Sequence, residues 1–348
     1  MTLPLPPKEK ITSMSANNEM TIRFHGVRGS LPTPVPVNMR YGGNTPCVEI
    51  CSDDQLLILD AGSGIRSLGE QLLRAVPENP IIATLLLSHT HWDHIHGIPF
   101  FAPAYSPENR IRIFGAYGRS LHLQRALANQ MSPLHFPVGL DQMRGLSLVD
   151  ELSPGATELG NLVVRTTRLN HPGGCTGFRI EGAAGSFAYL PDHEPYRNGN
   201  ERSSATASTH RDLVEFIRNL DLLVLDTQYT TEEYGQRVGW GHGCLSDSVE
   251  LAMQGGVRRL LLFHHDPSHN DHQIDQMVES ARELAGESLL RIDAASENES
   301  VSLTRSPGRS SNRGLTPDGP SHYPVLEGVG PDQEFAQQAP VMLRKRTE

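Results

Sequence analysis

His89-Thr90-His91-Trp92-Asp93-His94 follows the apolar run Thr84-Leu85-Leu86-Leu87-Ser88, and this junction decides how the chain is read. Crowded imidazoles and a carboxylate at a strand end have little structural purpose: they repel one another as they charge, and they desolvate poorly. A bound cation removes both costs. Alternate residues of an extended segment point the same way, so His89 and His91 converge on one cation. The chain then turns, and Asp93 and His94 face a second. Paired catalytic metals usually sit about 3.5–4 Å apart.

The remaining ligands must come from other strand ends. His171, in Asn170-His171-Pro172-Gly173-Gly174, follows the strand-like stretch 162–166. Asp192 follows 187–190, and His264 follows Leu260-Leu261-Leu262-Phe263. His265 competes with His264, which is preferred as the first residue past the strand. Cys47, Cys51, Cys175 and Cys244 form no CxxC pair and read as buried thiols of a reducing compartment.

Strand-like runs cover 21–24, 47–51, 56–60, 81–87, 111–114, 162–166, 178–180, 187–190, 222–226 and 259–263; helix-like runs cover 65–75, 121–131, 211–220, 246–253 and 273–284. Runs such as Leu222-Leu223-Val224-Leu225 are apolar throughout, which implies strands buried on both faces under helices. The expectation is one domain over 20–300. It is flanked by a disordered tail over 1–19 and another over 301–348, where Ser, Pro, Gly and Gln replace the aliphatics.

The net charge of −10 argues against a broad nucleic-acid surface, which needs basic groups to replace counterions. No apolar run approaches the roughly 18 residues of a membrane span, and the N-terminal residues show no apolar signal segment. A cytoplasmic location is the resulting expectation. His96, His193, His269 and His272 read as surface or loop histidines. Gly62 and Gly64 read as a tight turn, Arg28 as a phosphate contact or an ion-pair partner, and Asp60 as a partner to a ligand histidine.

The His-x-His-x-Asp-His core, with His, Asp and His at later strand ends, resembles the metallo-β-lactamase superfamily. Gly26-Val27-Arg28-Gly29-Ser30, Gly43-Asn44-Thr45 and Asp60-Ala61-Gly62-Ser63-Gly64 make the likeness closer to its ribonuclease Z-like and cyclic phosphodiesterase branch. The resemblance implies an α/β fold, a four-layer αββα sandwich with two mixed β-sheets. It implies that His89, His91 and His171 hold one metal, that Asp93, His94 and His264 hold another, and that Asp192 bridges them. It implies two divalent ions, Zn²⁺ with Mn²⁺ tolerated, and a homodimer. It also implies that His242, in Gly241-His242-Gly243, assists the leaving group beside an acidic partner. Asp226 stands where the branch has Glu, one methylene shorter, which puts the contact in doubt.

Those likenesses imply a hydrolase in which a water activated between the metals attacks a small phosphodiester, a cyclic nucleotide among the candidates, with Asp93, His242 and Asp226 as catalytic residues. A tRNA 3′-processing endonuclease is the first alternative. The short interval from His171 to Asp192 leaves no room for the long arm with which ribonuclease Z grips tRNA. Lactone, thioester or β-lactam hydrolysis and a non-enzymatic metal sensor stay open as well.

Overall fold

The computed structural model describes residues 19–304 apart from 78, 116–119, 153–154 and 197–203. The strands form where apolar residues alternate or run together. β1 Glu19–Gly26, β2 Cys47–Ser52, β3 Gln55–Leu59, β4 Ile82–Leu86, β5 Arg110–Gly115 and β6 Leu146–Glu151 build a first sheet. β7 Ala156–Leu159, β8 Leu162–Leu169, β9 Cys175–Gly182, β10 Gly185–Leu190, β11 Leu222–Asp226, β12 Arg259–Phe263 and β13 Arg291–Ala294 build a second. β14 Ser300–Thr304 then returns to the first sheet and pairs antiparallel with β1. The orders are β14-β1-β2-β3-β4-β5-β6 and β13-β12-β11-β10-β9-β8-β7. In each sheet an antiparallel half joins a parallel half, at β3 and at β10.

Alternation sorts the side chains into layers. Ile22, Phe24, Ile50, Leu57 and Leu59 of the first sheet meet Val164, Phe178, Phe187, Val224 and Phe263 of the second in a central core. Outward-facing Ile58, Leu85 and Ile113 are covered by α1 Ile65–Ala75 and by the following short helix α2 Trp92–Ile95 and α3 Ser120–Gln130. Leu223, Leu225 and Leu262 are covered by α4 Ser204–Phe216, α6 Leu245–Gln254 and α7 Asp271–Ala285; the short α5 Thr231–Tyr234 precedes α6 in the chain. The result is the expected αββα sandwich. Truncating a central phenylalanine such as Phe178 to alanine costs about 3–5 kcal/mol by cavity formation.

Several elements depart from the sequence reading. β6, β7, β13 and β14 carried no strand signal because they are short or lie at the sheet margins, where one face is wet. β14 overturns the domain limit at 300: Val301 and Leu303 pack onto the central core while their neighbours face solvent. β1 likewise starts at Glu19, inside the expected tail. The rest of both expected tails, 1–18 and 305–348, lies outside the described residues. α4 begins well before 211, because its first turns lack apolar periodicity. Among the described residues no helix is long and apolar enough to cross a membrane.

Candidate metal centre

The site lies where strands of both sheets end. β4 leads to Ser88 and His89, and α2 turns the chain so that Asp93 and His94 face inward. β8 leads to His171, β10 to Asp192, β11 ends at Asp226, and β12 leads to His264. His264 has a left-handed φ of 60°, which swings its imidazole into the gap while His265 turns away and bonds to the Ala295 carbonyl at 2.9 Å. His265 is thereby removed from the cluster. Burial, then the Arg28 guanidinium, depress its pKa to about 3.

Two groups of ligand atoms that share no residue result, His89–His91–His171–Asp192 and Asp93–His94–His264, each within 4.8 Å, and a third, Asp192–His242–His264, overlaps both. Asp192 divides its oxygens between them. Its Oδ2 lies 3.6 Å from His89 Nε2 and 3.5 Å from His171 Nε2; its Oδ1 lies 3.1 Å from His94 Nε2 and 3.4 Å from His264 Nε2. Asp93 Oδ2 is 3.2 Å from both His94 Nε2 and His264 Nε2, and it accepts a 2.8 Å bond from the Ser30 amide. His91 points Nδ1 inward, 3.0 Å from His171 Nε2.

The fit to metal ions is visible in what lacks a partner. His89 Nε2, His94 Nε2 and Asp192 Oδ1 are buried, yet none makes a hydrogen bond among the described residues. Although His94 Nε2 and Asp192 Oδ1 are 3.1 Å apart, their orientation is not that of a hydrogen bond. Leaving such atoms unpaired costs about 1–3 kcal/mol each, more when charged. Cations at the two groups remove that cost. Burial keeps His89, His91 and His171 below the ordinary imidazole pKa, so they stay neutral and can ligate. Burial opposes charge on His94 too, but Asp192, Asp93 and Asp60 outweigh it and raise its pKa. Burial likewise opposes ionisation of Asp93, yet His94 and His264 hold its carboxyl well below the usual range.

The outward nitrogens are fixed in turn, which leaves Nε2 facing the cluster. His94 Nδ1 donates to Asp60 Oδ2 at 2.8 Å, His264 Nδ1 to Gln228 Oε1 at 2.9 Å and His171 Nδ1 to the Gly241 carbonyl at 2.8 Å. His89 Nδ1 meets Ser88 Oγ at 3.0 Å, and Ser88 Oγ donates to Asp60 Oδ2 at 2.9 Å. Asp60, with φ 57°, also accepts from the Ser88 amide and from the Tyr189 hydroxyl, both at 2.8 Å. It therefore orients a histidine of each group and ties the first sheet to β10.

His242 flanks the cluster, its Nδ1 3.9 Å from Asp192 Oδ2. The short Asp226 side chain reaches it after all, at 3.0 Å. Burial disfavours the imidazolium, but the Asp226 carboxylate outweighs it and raises the pKa to about 9. Glu194, which the sequence reading passed over, is buried and accepts from the Gly239 and Gly241 amides at 2.6 and 2.9 Å and from the Tyr234 hydroxyl at 3.0 Å. The glycine-dense Gly239-Trp240-Gly241-His242-Gly243 was the signal available, since such a loop needs an anchor for its amides. Gln228 and Tyr189 had no comparable signal.

Other expectations resolve here. Arg28 is fully buried and gives its hydrogen bonds to the Gly42, Asp266 and His269 carbonyls, so it is a structural brace rather than a phosphate contact. Gly62 and Gly64 pack against backbone, where a Cβ would meet Asp93 O and His25 O at 2.3 Å. His193 and His269 are buried, not on the surface: His193 accepts from the Asn170 amide and His269 bonds Glu233 at 2.9 Å. All four cysteines are free; Cys47, Cys175 and Cys244 are buried as expected, whereas Cys51 is exposed on β2.

An αββα sandwich with two His/Asp groups at its strand ends defines a metal-dependent hydrolase. The beta-lactamase superfamily domain matches residues 56–265, and the chain belongs to that superfamily. The fold is shared with solved metallo-β-lactamase-fold structures, and the sequence is similar to ribonucleases Z. A ribonuclease Z of Thermoplasma acidophilum is 26% identical over 303 residues, covering 76% of this chain and 92% of the relative. The metallo-beta-lactamase fold protein YhfI from Bacillus subtilis superposes with a TM-score of 0.60 at 18% identity, over 82% of this chain and 99% of that one. Human tRNase Z, short form, superposes with a TM-score of 0.52 at 16% identity, over 82% and 100%.

These relatives overturn the expectation of a small substrate and no extended nucleic-acid surface, because a ribonuclease spans most of the chain. That expectation leaned on net charge, which sums the whole chain and does not give the local field beside bound cations. It leaned too on the interval from His171 to Asp192, which holds only the β9–β10 hairpin.

Proposed function

We propose that this chain is a binuclear metal-dependent phosphodiesterase acting on ribonucleotide phosphodiesters. The observation that carries the reading is the division of Asp192, one oxygen toward each histidine group, with His242–Asp226 at its edge. His89, His91 and His171 would hold one ion, Asp93, His94 and His264 the other, and Asp192 both. Imidazole-rich mixed N/O donors suit Zn²⁺, with Mn²⁺ tolerated. When bound, the ions supply Lewis acidity and a nucleophilic water at neutral pH.

The chain's own groups do the rest. Asp93, fixed by the Ser30 amide, orients what enters between the histidine groups. With Nδ1 engaged by Asp226, His242 presents a proton on its other nitrogen. That proton passes to the leaving oxygen as the P–O bond breaks, a contribution of about 10²–10⁴ for general acids. The ribonuclease Z relatives support RNA as the source of the phosphodiester. The test is hydrolysis of bis-p-nitrophenyl phosphate and of a 3′-extended tRNA precursor by Zn²⁺-loaded protein, with Asp93→Ala as control. Turnover of both that Asp93→Ala abolishes is expected. Undiminished turnover by Asp93→Ala would refute the assignment.

A further inference from the structure

Both tryptophans of the chain are exposed, Trp92 by 84% and Trp240 by 53%. Tryptophan is the side chain with most to gain from burial, so leaving both in water calls for a reason. Their positions give one. Trp92 sits between His91 and Asp93; Trp240 immediately precedes Gly241. His91 Nδ1 lies 3.0 Å from His171 Nε2, and the Gly241 carbonyl accepts from His171 Nδ1 at 2.8 Å. The two tryptophans thus each adjoin a residue, His91 or Gly241, that touches one of the two ring nitrogens of His171.

Trp240 is also rigidly mounted. It stands between Gly239 and Gly241, with φ of 87° and 88°, and the amides of both are held by the Glu194 carboxylate, itself only 8% exposed. A Cβ on Gly241 would lie 2.3 Å from Pro172 Cδ and 2.6 Å from His171 Nδ1, so the loop is wedged against the ligand histidine. The Arg237 guanidinium rests 5.8 Å from the Trp240 ring and 4.9 Å from that of Tyr229. The Glu194 carboxylate thus holds the backbone on both sides of this exposed indole, and the Arg237 guanidinium lies over its ring.

We propose that Trp92 and Trp240 are stacking platforms for the nucleobases on either side of the scissile phosphodiester. Base–indole stacking tolerates any base, because each has a π-face, and it places the linking phosphate over the His/Asp cluster. This rests on the phosphodiesterase reading and deepens it by naming what is recognised beside the phosphate.

The two tryptophans report on their own ligand. In Zn²⁺-loaded full-length protein, adenosine 5′-monophosphate quenches the intrinsic fluorescence saturably and ribose 5-phosphate does not. Trp92→Leu and Trp240→Leu each leave one reporter and weaken nucleotide binding. The trinucleotide r(ApApA) is cleaved in preference to its abasic analogue, and each substitution lowers that preference by about 5- to 150-fold, the range alanine substitution of stacking aromatics gives. Equal quenching by both phosphates, or a base preference that survives both substitutions, would overturn the proposal. Its failure is separable from failure of the underlying reading. Hydrolysis of bis-p-nitrophenyl phosphate without selective quenching sinks the platforms alone, whereas selective quenching without any hydrolysis sinks the phosphodiesterase reading and leaves the tryptophans as a nucleobase-binding site with no scissile bond.

Discussion

Replacing Asp60 by asparagine should cripple metal binding through proton placement, with no ligand touched. Its Oδ1 accepts from the Ser88 amide; its Oδ2 accepts from Ser88 Oγ, His94 Nδ1 and the Tyr189 hydroxyl. In Asp60→Asn the amide oxygen keeps the Ser88 amide, and the NH₂ group faces three former donors. The hydroxyls can rotate, but the reversal propagates. Either His94 Nδ1 becomes an acceptor, or Ser88 turns to donate to His89 Nδ1. Both routes move an imidazole proton onto Nε2, the nitrogen that faces the cluster. Loss of such an orienting partner typically weakens metal affinity about 10- to 100-fold, or about 1.4–2.8 kcal/mol. Asp60→Ala instead strands several buried donors and should destabilise the metal-free protein by about 3–5 kcal/mol. Chelator-competition titration with Zn²⁺ measures the first effect, and urea unfolding in EDTA the second. If Asp60→Asn binds both equivalents with wild-type affinity, or unfolds as readily as Asp60→Ala, the tautomer argument is wrong.

His242→Ala should slow hydrolysis of alkyl-ester leaving groups about 10²–10⁴-fold and p-nitrophenyl esters far less, because nitrophenolate needs little protonation; equal losses in kcat would remove the proton-donor role. Arg28→Met should lower the unfolding free energy by about 3–5 kcal/mol by stranding buried carbonyls of two loops, read from urea midpoints at constant m-value. Metal-free protein should lose stability in acid through His265 and His193, which burial holds at about 3 and about 4. Both are depressed from 6.5, so their contribution is complete above pH 6.5 and declines as the pH falls toward 4 and 3. At pH 5 each accounts for a loss of about 2 kcal/mol, and His265→Gln should remove its share of the slope.

Much of this was legible because the fold places its chemistry at strand ends. The cluster at 89–94 and the residues after β8, β10 and β12 were readable as ligand types at the points where apolar runs stop. α1 matched its expected 65–75 because its stripe is strongly amphipathic. β6 and β14 were not readable, since half-wet marginal strands lose their pattern to solvent-facing polar residues. The residues that steer the ligands were harder still. Gln228 and Tyr189 act through hydrogen bonds whose partners lie far along the chain, and no spacing rule anticipates them; for Glu194 the glycine-dense 239–243 loop was the one available sign. Arg28 was ambiguous because a guanidinium gripping carbonyls and one gripping phosphate look alike in sequence.

The joining of ligands from both sheets sets an order of events during synthesis. Asp93 and His264 stand 171 positions apart, so the histidine-rich junction leaves the ribosome long before its last partner exists. Until then any captured ion is held by an incomplete set of donors and can exchange. Once β12 docks, an ion held by both would close a chain loop of that length. An ion shared by Asp93 and His264 would therefore complete its donor set only after β12 has been made.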